Sequence, residues 1–322
     1  MVNTAPLVSL ADVEAAASRI SGRVLRTPLI ATSLGGEGAA LSVKAECLQI
    51  GGSFKLRGAL NAVALLSPDE RTRGVVTHSS GNHAQALARA AKQAGIAATV
   101  VMPRQSPDLK RRATEAQGAT VVLVDASQRA STVEEIQART GAVFVPPYDH
   151  PAIIAGQGTV GLEIVDDLPA VATVYAPVSG GGLLSGIAVA VKARSAGVRV
   201  VGVEPELAGD LAEGFARGER MVWETALTGR TIADGLRTSS VGVLNWEHIM
   251  ALVDEVVTVT EEQILAAMRS VVLDARVVCE PSGAVGVAGF LAHPQTAAPG
   301  PAVAVVSGGN VTPDLLADVL GD

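Results

Sequence analysis

The chain has 322 residues, of which 48% are hydrophobic, 18% charged and only 2% aromatic, with a formal net charge of -7. A mean hydropathy of +0.36 with so few charges excludes a disordered chain, and the acidic balance excludes a general affinity for nucleic acid. Cys47 and Cys279 are the only cysteines, which rules out a disulfide framework and a C-x-x-C metal site.

Ala-rich stretches alternate with short β-branched runs along the chain, whose length suits two domains. Helices are expected over 11–20, 55–66, 82–94, 132–140, 182–196 and 261–272, several opening after Ser, Thr or Gly. Strands are expected over 74–77, 98–102, 120–124, 173–177, 198–203 and 302–306, several as continuous apolar runs of the kind buried on both faces. That is the βαβ pattern of a parallel sheet covered by helices. Pro146-Pro147 reads as a crossing between domains, and 294–301 as a surface turn before the last strand. With no basic and apolar leader near Met1 and no run long enough to cross a bilayer, no membrane partner is expected and the cytoplasm is the expected location.

Ligands of such sheets bind where strands turn into helices, so those junctions are read next. Gly51-Gly52-Ser53-Phe54-Lys55-Leu56-Arg57-Gly58-Ala59 sets one lysine among small residues at a helix start. In a partly apolar pocket its amine loses its proton readily and becomes a nucleophile; alone, it also reads as a surface lysine. Ser79-Ser80-Gly81-Asn82-His83 offers hydroxyls and free N–H groups to a carboxylate or phosphate, or simply caps a helix. Three consecutive glycines in Ser179-Gly180-Gly181-Gly182-Leu183-Leu184-Ser185-Gly186 let the backbone wrap an anion at a helix N-terminus. By itself this segment would also suit a nucleotide, though neither a Walker loop nor a G-x-G-x-x-G spacing is present. Ser307-Gly308-Gly309-Asn310 places a further hydroxyl at the end of the last strand. Together these supply a carbonyl-trapping lysine, a carboxylate receptor and a phosphate cup.

In that combination the sequence resembles the pyridoxal-phosphate-dependent threonine/serine dehydratases and serine racemases. The resemblance spans nearly the whole chain, through Thr27-Pro28-Leu29, Lys44-Ala45-Glu46, Gly52 to Lys55, Ser79 to His83, Val101-Met102-Pro103, Gly156-Gln157-Gly158-Thr159, Ser179 to Leu183, Gly202 to Pro205, Thr231 to Gly235, Glu280 to Gly283 and Ser307 to Asn310. It implies an α/β protein of the tryptophan-synthase-β-like fold (fold type II), with two open twisted parallel-sheet domains and the cofactor, pyridoxal 5'-phosphate, in the cleft. The large domain would comprise 1–72 and 149–322 and the small domain 73–148.

By the same resemblance Lys55 looks like the Schiff-base lysine, and Ser80 like the hydroxyl that faces it across the substrate. Phe54, Asn82, Gly235, Glu280 and Ser307 match cofactor-binding positions, Asn82 beside the 3-hydroxyl and Ser307 beside the pyridine nitrogen. Gly180, Gly181, Gly182 and Leu183 would give the phosphate their N–H groups. Ser79, Ser80 and His83 sit where the substrate carboxylate is gripped, and Arg129, Tyr148 and Thr238 match positions near the substrate. Glu204, the carbonyl of Ala208 and Asp210 match a divalent-cation site whose oxygen ligands suit Mg²⁺, Ca²⁺ or Mn²⁺. A neutral serine cannot keep the pyridine nitrogen protonated, which weakens the electron sink and favours elimination. The implied activity is dehydration of L-threonine or L-serine to a 2-oxo acid and ammonia; a serine racemase and a 3-hydroxyaspartate dehydratase are the alternatives. A homodimer is implied, and feedback control by isoleucine through a C-terminal domain is not expected. From other classes, a nucleotide-dependent oxidoreductase and a non-catalytic amino-acid sensor stay open.

Overall fold

The computed structural model describes residues 7–35, 40–79, 81–106 and 108–321. The chain opens with α1 (Leu10–Ile20), β1 (Leu29–Ala31), β2 (Leu41–Lys44), α2 (Lys55–Ala64) and α3 (Pro68–Arg73). A run of alternating elements follows: β3 (Val75–His78), α4 (Asn82–Ala94), β4 (Ala98–Pro103), α5 (Asp108–Glu115), β5 (Thr120–Val124), α6 (Arg129–Thr140) and β6 (Val143–Phe144). After the Pro146-Pro147 crossing come α7 (Pro151–Asp167), β7 (Thr173–Pro177), α8 (Gly182–Arg194), β8 (Arg199–Pro205), α9 (Asp210–Arg217) and α10 (Thr225–Thr228). The chain closes with α11 (Val243–Leu252), β9 (Glu255–Val259), α12 (Glu261–Ser270), α13 (Pro281–Ala292), β10 (Ala302–Val305) and α14 (Pro313–Gly321).

The strands form a six-stranded sheet in the order β1-β2-β10-β7-β8-β9 and a four-stranded sheet in the order β5-β4-β3-β6. Every pair is parallel except β1 with β2. Strands β7 and β10 are buried at every residue, which is why they read as unbroken apolar runs. The expected elements are found, with displaced ends. Gly74 takes φ 73° and closes α3 instead of starting β3. A 3-10 turn over Ala126–Gln128 starts the helical path before 132, and α12 ends at Ser270 in a π turn.

What positions the site is the stack of α2, α7 and α8. Its helices touch backbone to backbone: a Cβ on Gly156 would lie 2.6 Å from Gly58 Cα, and one on Gly186 would lie 2.4 Å from Ile154 O. Only glycine permits that approach, and it aligns α2 and α8 on the two sides of α7. Under the same stack lies a buried charge cluster, open to solvent only at the edge of Glu163. Arg57 donates to both oxygens of Glu46 (2.8 and 2.9 Å) and both of Glu163 (2.6 and 2.9 Å), while Lys44 donates to Glu163 (2.6 Å) and to Thr27 O (2.6 Å). Two cations and two anions cancel, which is the condition for burying them.

Candidate active site

Lys55 begins α2, and its place is fixed from β10: Ser53 bridges Gly308, and Phe54 N donates to Ser307 O at 3.2 Å. Its Nζ donates to Pro147 O at 2.8 Å and stands 5.1 Å from the Phe54 ring centroid. Burial, with no carboxylate to offset it, pulls the amine down to about 8. The other lysines differ. Lys44, Lys110 and Lys192 are paired with Glu163, Asp234 and Asp254, and Lys92 is exposed. Among the described residues, Lys55 is therefore the lysine whose amine is enclosed and free to react.

The glycine loop faces it. Gly181 takes φ 90°, and a Cβ there would come within 2.6 Å of Val241 Cγ2 and 2.9 Å of Asn245 Cβ. Gly180 O is taken by Gly242 N (3.0 Å) and Asn245 Nδ2 (2.7 Å) on the α11 side. The N–H groups of Gly182 and Leu183, in the first turn of α8, have no acceptor within the helix and carry its positive end. Tyr148 packs on this loop, its ring atoms 2.2 to 2.3 Å from where a Gly180 Cβ would stand. Pro147, which holds the lysine, thus adjoins the residue that lies on the glycine loop, and Phe54 packs into the cluster that contains Leu183.

Around the same opening Asn82, the first residue of α4, donates to Glu280 Oε1 (2.6 Å) and accepts from Asn310 Nδ2 (2.8 Å). Burial and then the charge of Asp234 push Glu280 up to about 7. Ser307 is buried and donates to Ser282 O (3.3 Å), and Ser282 Oγ accepts from Gly235 N (2.9 Å). No acid bonds to the Ser307 hydroxyl among the described residues.

On the expected substrate side, Ser79 is half-buried and its Oγ accepts from Gly81 N at 3.3 Å; Ser80 lies outside the described residues. His83 is buried, with Nε2 3.1 Å from Val145 O, and burial followed by the charge of Lys55 holds it down to about 3. It is a neutral ring whose Nδ1 is enclosed without a partner among the described residues. Thr238 shares a hydrogen bond with Ser179 (2.9 Å). Arg129 bonds Ala126 O at 3.0 Å, and its charge reaches both His78, stacked on Phe144, and Tyr148.

Glu204, Ala208 and Asp210 lie together at the end of β8 and the start of α9, all buried. Glu204 accepts from Ala212 N (2.8 Å), and Asp210 from Val241 N (3.0 Å). Burial, with the Asp210 charge behind it, drives Glu204 well above the usual carboxylate range, and burial raises Asp210 to about 7. Two enclosed acids in need of a countercharge are a hard-oxygen donor set. Among the described residues no three His, Cys, Asp or Glu side chains gather, so a cation here would also need backbone oxygen such as Ala208 O.

Sequence reasoning missed Pro147 O as the acceptor for Lys55 and Asn310 as the second partner of Asn82, since both depend on chain crossings that no local pattern announces. It also gave no role to Arg57, although an arginine two places after Lys55, between the apolar Leu56 and Gly58, is the kind of signal that marks a buried ion pair.

Residues 20–308 match the family model described as pyridoxal-phosphate dependent enzyme. The chain is 42% identical over 316 residues to an L-threonine ammonia-lyase of Thermotoga maritima, covering 96% of this chain and 77% of the relative. It is 42% identical over 314 residues to the serine racemase of Homo sapiens, covering 94% of this chain and 92% of the relative. The solved structure of maize serine racemase superposes with a TM-score of 0.92 at 36% identity, covering 98% of each chain.

Proposed function

The chain belongs to the pyridoxal-phosphate-dependent enzymes, of fold type II, and from that premise we propose that it is an ammonia-lyase acting on a β-hydroxy amino acid, L-threonine or L-serine. The observation that carries this reading is Ser307, which the resemblance matches to the partner of the pyridine nitrogen: it is a buried, neutral hydroxyl bonded to a peptide carbonyl. Supporting it, the residues present suit the cofactor. Lys55 offers an enclosed amine for its aldehyde, the N–H groups of Gly182 and Leu183 suit its phosphate, and Asn82, Gly235 and Glu280 line the remaining edge. We assign the cleft between domain 1–72 with 149–322 and domain 73–148 as its place.

Bound there, the cofactor withdraws electrons from the α-carbon of an amino acid joined to it, and makes the α-hydrogen acidic. Lys55 Nζ, an enclosed amine that gives up its proton readily, would take the α-proton on its own face of the substrate. Ser79 and the N-terminus of α4 orient the substrate carboxylate, and His83 lines the pocket as an uncharged ring whose one proton, on Nε2, is given to Val145 O. Arg129, Tyr148 and Thr238 border the side-chain end. The β-hydroxyl leaves with a proton as water, equivalent to the α-proton taken by Lys55, and one water then displaces the amino nitrogen as ammonia, leaving the 2-oxo acid. A neutral Ser307, with no acid bonded to it among the described residues, would leave the cofactor a weak electron sink and so would favour expulsion of a β-substituent over transamination.

A serine racemase is the second reading: a relative 42% identical bears that name, and the resemblance matches Ser80 to the racemases' second proton carrier. The decisive assay mixes the cofactor-loaded enzyme with L-threonine, L-serine and L-threo-3-hydroxyaspartate and follows oxo acid, ammonia and the configuration of remaining amino acid. Oxo acid and ammonia in equal amounts support the lyase and name its substrate; D-serine accumulating from L-serine without them overturns it.

Two expected results follow. Because the Lys55 amine must be neutral to capture an aldehyde, the rate of cofactor uptake by stripped protein should rise with pH through about 8; stopped-flow absorbance measures it, and a flat profile from pH 6 to 9 contradicts the assignment. We also propose that Glu204, Ala208 O and Asp210 hold Mg²⁺, Ca²⁺ or Mn²⁺. A chelator should then lower the melting temperature and the added cation restore it; an unchanged transition contradicts the site. No described helix is long and apolar enough to cross a membrane, and the family reading carries a homodimer and a cytoplasmic location as further expectations.

A further inference from the structure

One ion pair joins the two sheets' elements beside this cleft and has no part in the chemistry above. Lys110, on α5, is paired with Asp234, their side chains 15% and 38% exposed. Neither end is loose. α5 packs on α4 and β5, and Lys92 on α4 donates to Ala116 O just past the end of α5 (3.3 Å), so Lys110 and Asn82 ride on one body. Asp234 sits in a loop clasped by Arg237, which donates twice to Thr231 O (2.6 and 2.9 Å), while Glu261 accepts from Ile232 N (2.6 Å). The next residue, Gly235, is tied through Ser282 to Ser307.

We infer that Lys110 and Asp234 are positioning residues: their pair holds the α4–α5 body against the loop that carries Gly235, and so sets how readily the cleft closes on an amino acid. The inference rests on the reading of that cleft as the substrate site. Closure is driven by differences in contact between the open and closed arrangements, and this pair can form only when the two bodies meet. Lys110 is largely covered while Asp234 stays exposed, so the pair's contribution is that of a surface pair and falls as salt rises. It also brings Asn82 to Glu280 from the same side, so that two cross-cleft contacts form together.

The test is a double-substitution cycle in the cofactor-loaded enzyme. Lys110→Met and Asp234→Asn should each raise KM roughly 2- to 5-fold at low salt, the weight of a pair with one exposed end, with kcat changed less than about 2-fold. The double variant should be no worse than the worse single one. Hydrogen exchange should quicken in both α5 and 231–237 in either single variant. Additive effects in the double variant, or exchange that quickens only around the substituted residue, would overturn the inference. If no amino acid is turned over at all, the functional reading fails, while the exchange result still decides whether the two segments are coupled.

Discussion

Lys55→Ala is expected to lower turnover by at least about 10³-fold, because one side chain supplies both the covalent anchor and the α-proton acceptor. The variant should also lose the visible absorbance of the bound cofactor. Folding should survive. Lys55 has no ion pair to lose, and its truncation frees a buried amine from an unfavourable setting while leaving Pro147 O with one missing donor, a cost of about 1–3 kcal/mol. Absorbance and steady-state oxo-acid release measure the first effects and thermal denaturation the last. Activity within 10-fold of the parent enzyme would remove Lys55 from the mechanism. Lys55→Arg should be equally inactive, since guanidinium remains protonated and forms no such link.

The second large effect concerns stability. Arg57→Met is expected to cost about 3–5 kcal/mol, the usual result of stripping one partner from a buried ionic cluster. Every nitrogen of the Arg57 side chain is engaged by Glu46, Glu163, Thr159 or Leu25 O, and the residue is completely buried. Although burial opposes it, Arg57 holds Glu46 below the usual carboxylate range. A carboxylate with a lowered folded-state pKa adds stability above its unfolded value and loses it as pH falls through the folded one. The parent protein should therefore weaken as acid neutralises Glu46. In Arg57→Met that anion is left facing Lys44 alone, and protonation of Glu46 should relieve part of the damage. Urea denaturation across pH measures both; a loss below about 1 kcal/mol would show that the cluster relaxes or admits water. Because Arg57 follows Lys55 by two residues on α2, the variant should also bind cofactor less tightly.

The strand β7 was legible to the residue, since a buried parallel strand leaves a continuous apolar run between turn residues, and β5 was read with the same bounds from its β-branched run although none of its residues is buried. Strands β6 and β9 were not: β6 has two residues, and β9 is half-buried at four of five positions and carries no clear alternation. The helix starts that bear Lys55, Asn82 and Gly182 could be read because glycine, serine and asparagine mark them locally. What holds those starts together could not. Pro147 lies 92 positions from Lys55, Glu280 lies 198 from Asn82, and Asp234 lies 124 from Lys110; separations of that size leave no periodic trace. The glycines of 156–158 were noticed as part of a pattern, and their purpose emerges only when α2 and α8 are seen against them.

The most direct test of the account is reduction of the cofactor-loaded protein with borohydride, followed by mass mapping of its peptides. Lys55 should carry the reduced cofactor at close to one per chain, and Lys44, Lys92, Lys110 and Lys192 none, since those are ion-paired or exposed. Label on any of these four instead, or on no lysine, would contradict the assignment of the enclosed amine at the start of α2 as the centre of the enzyme.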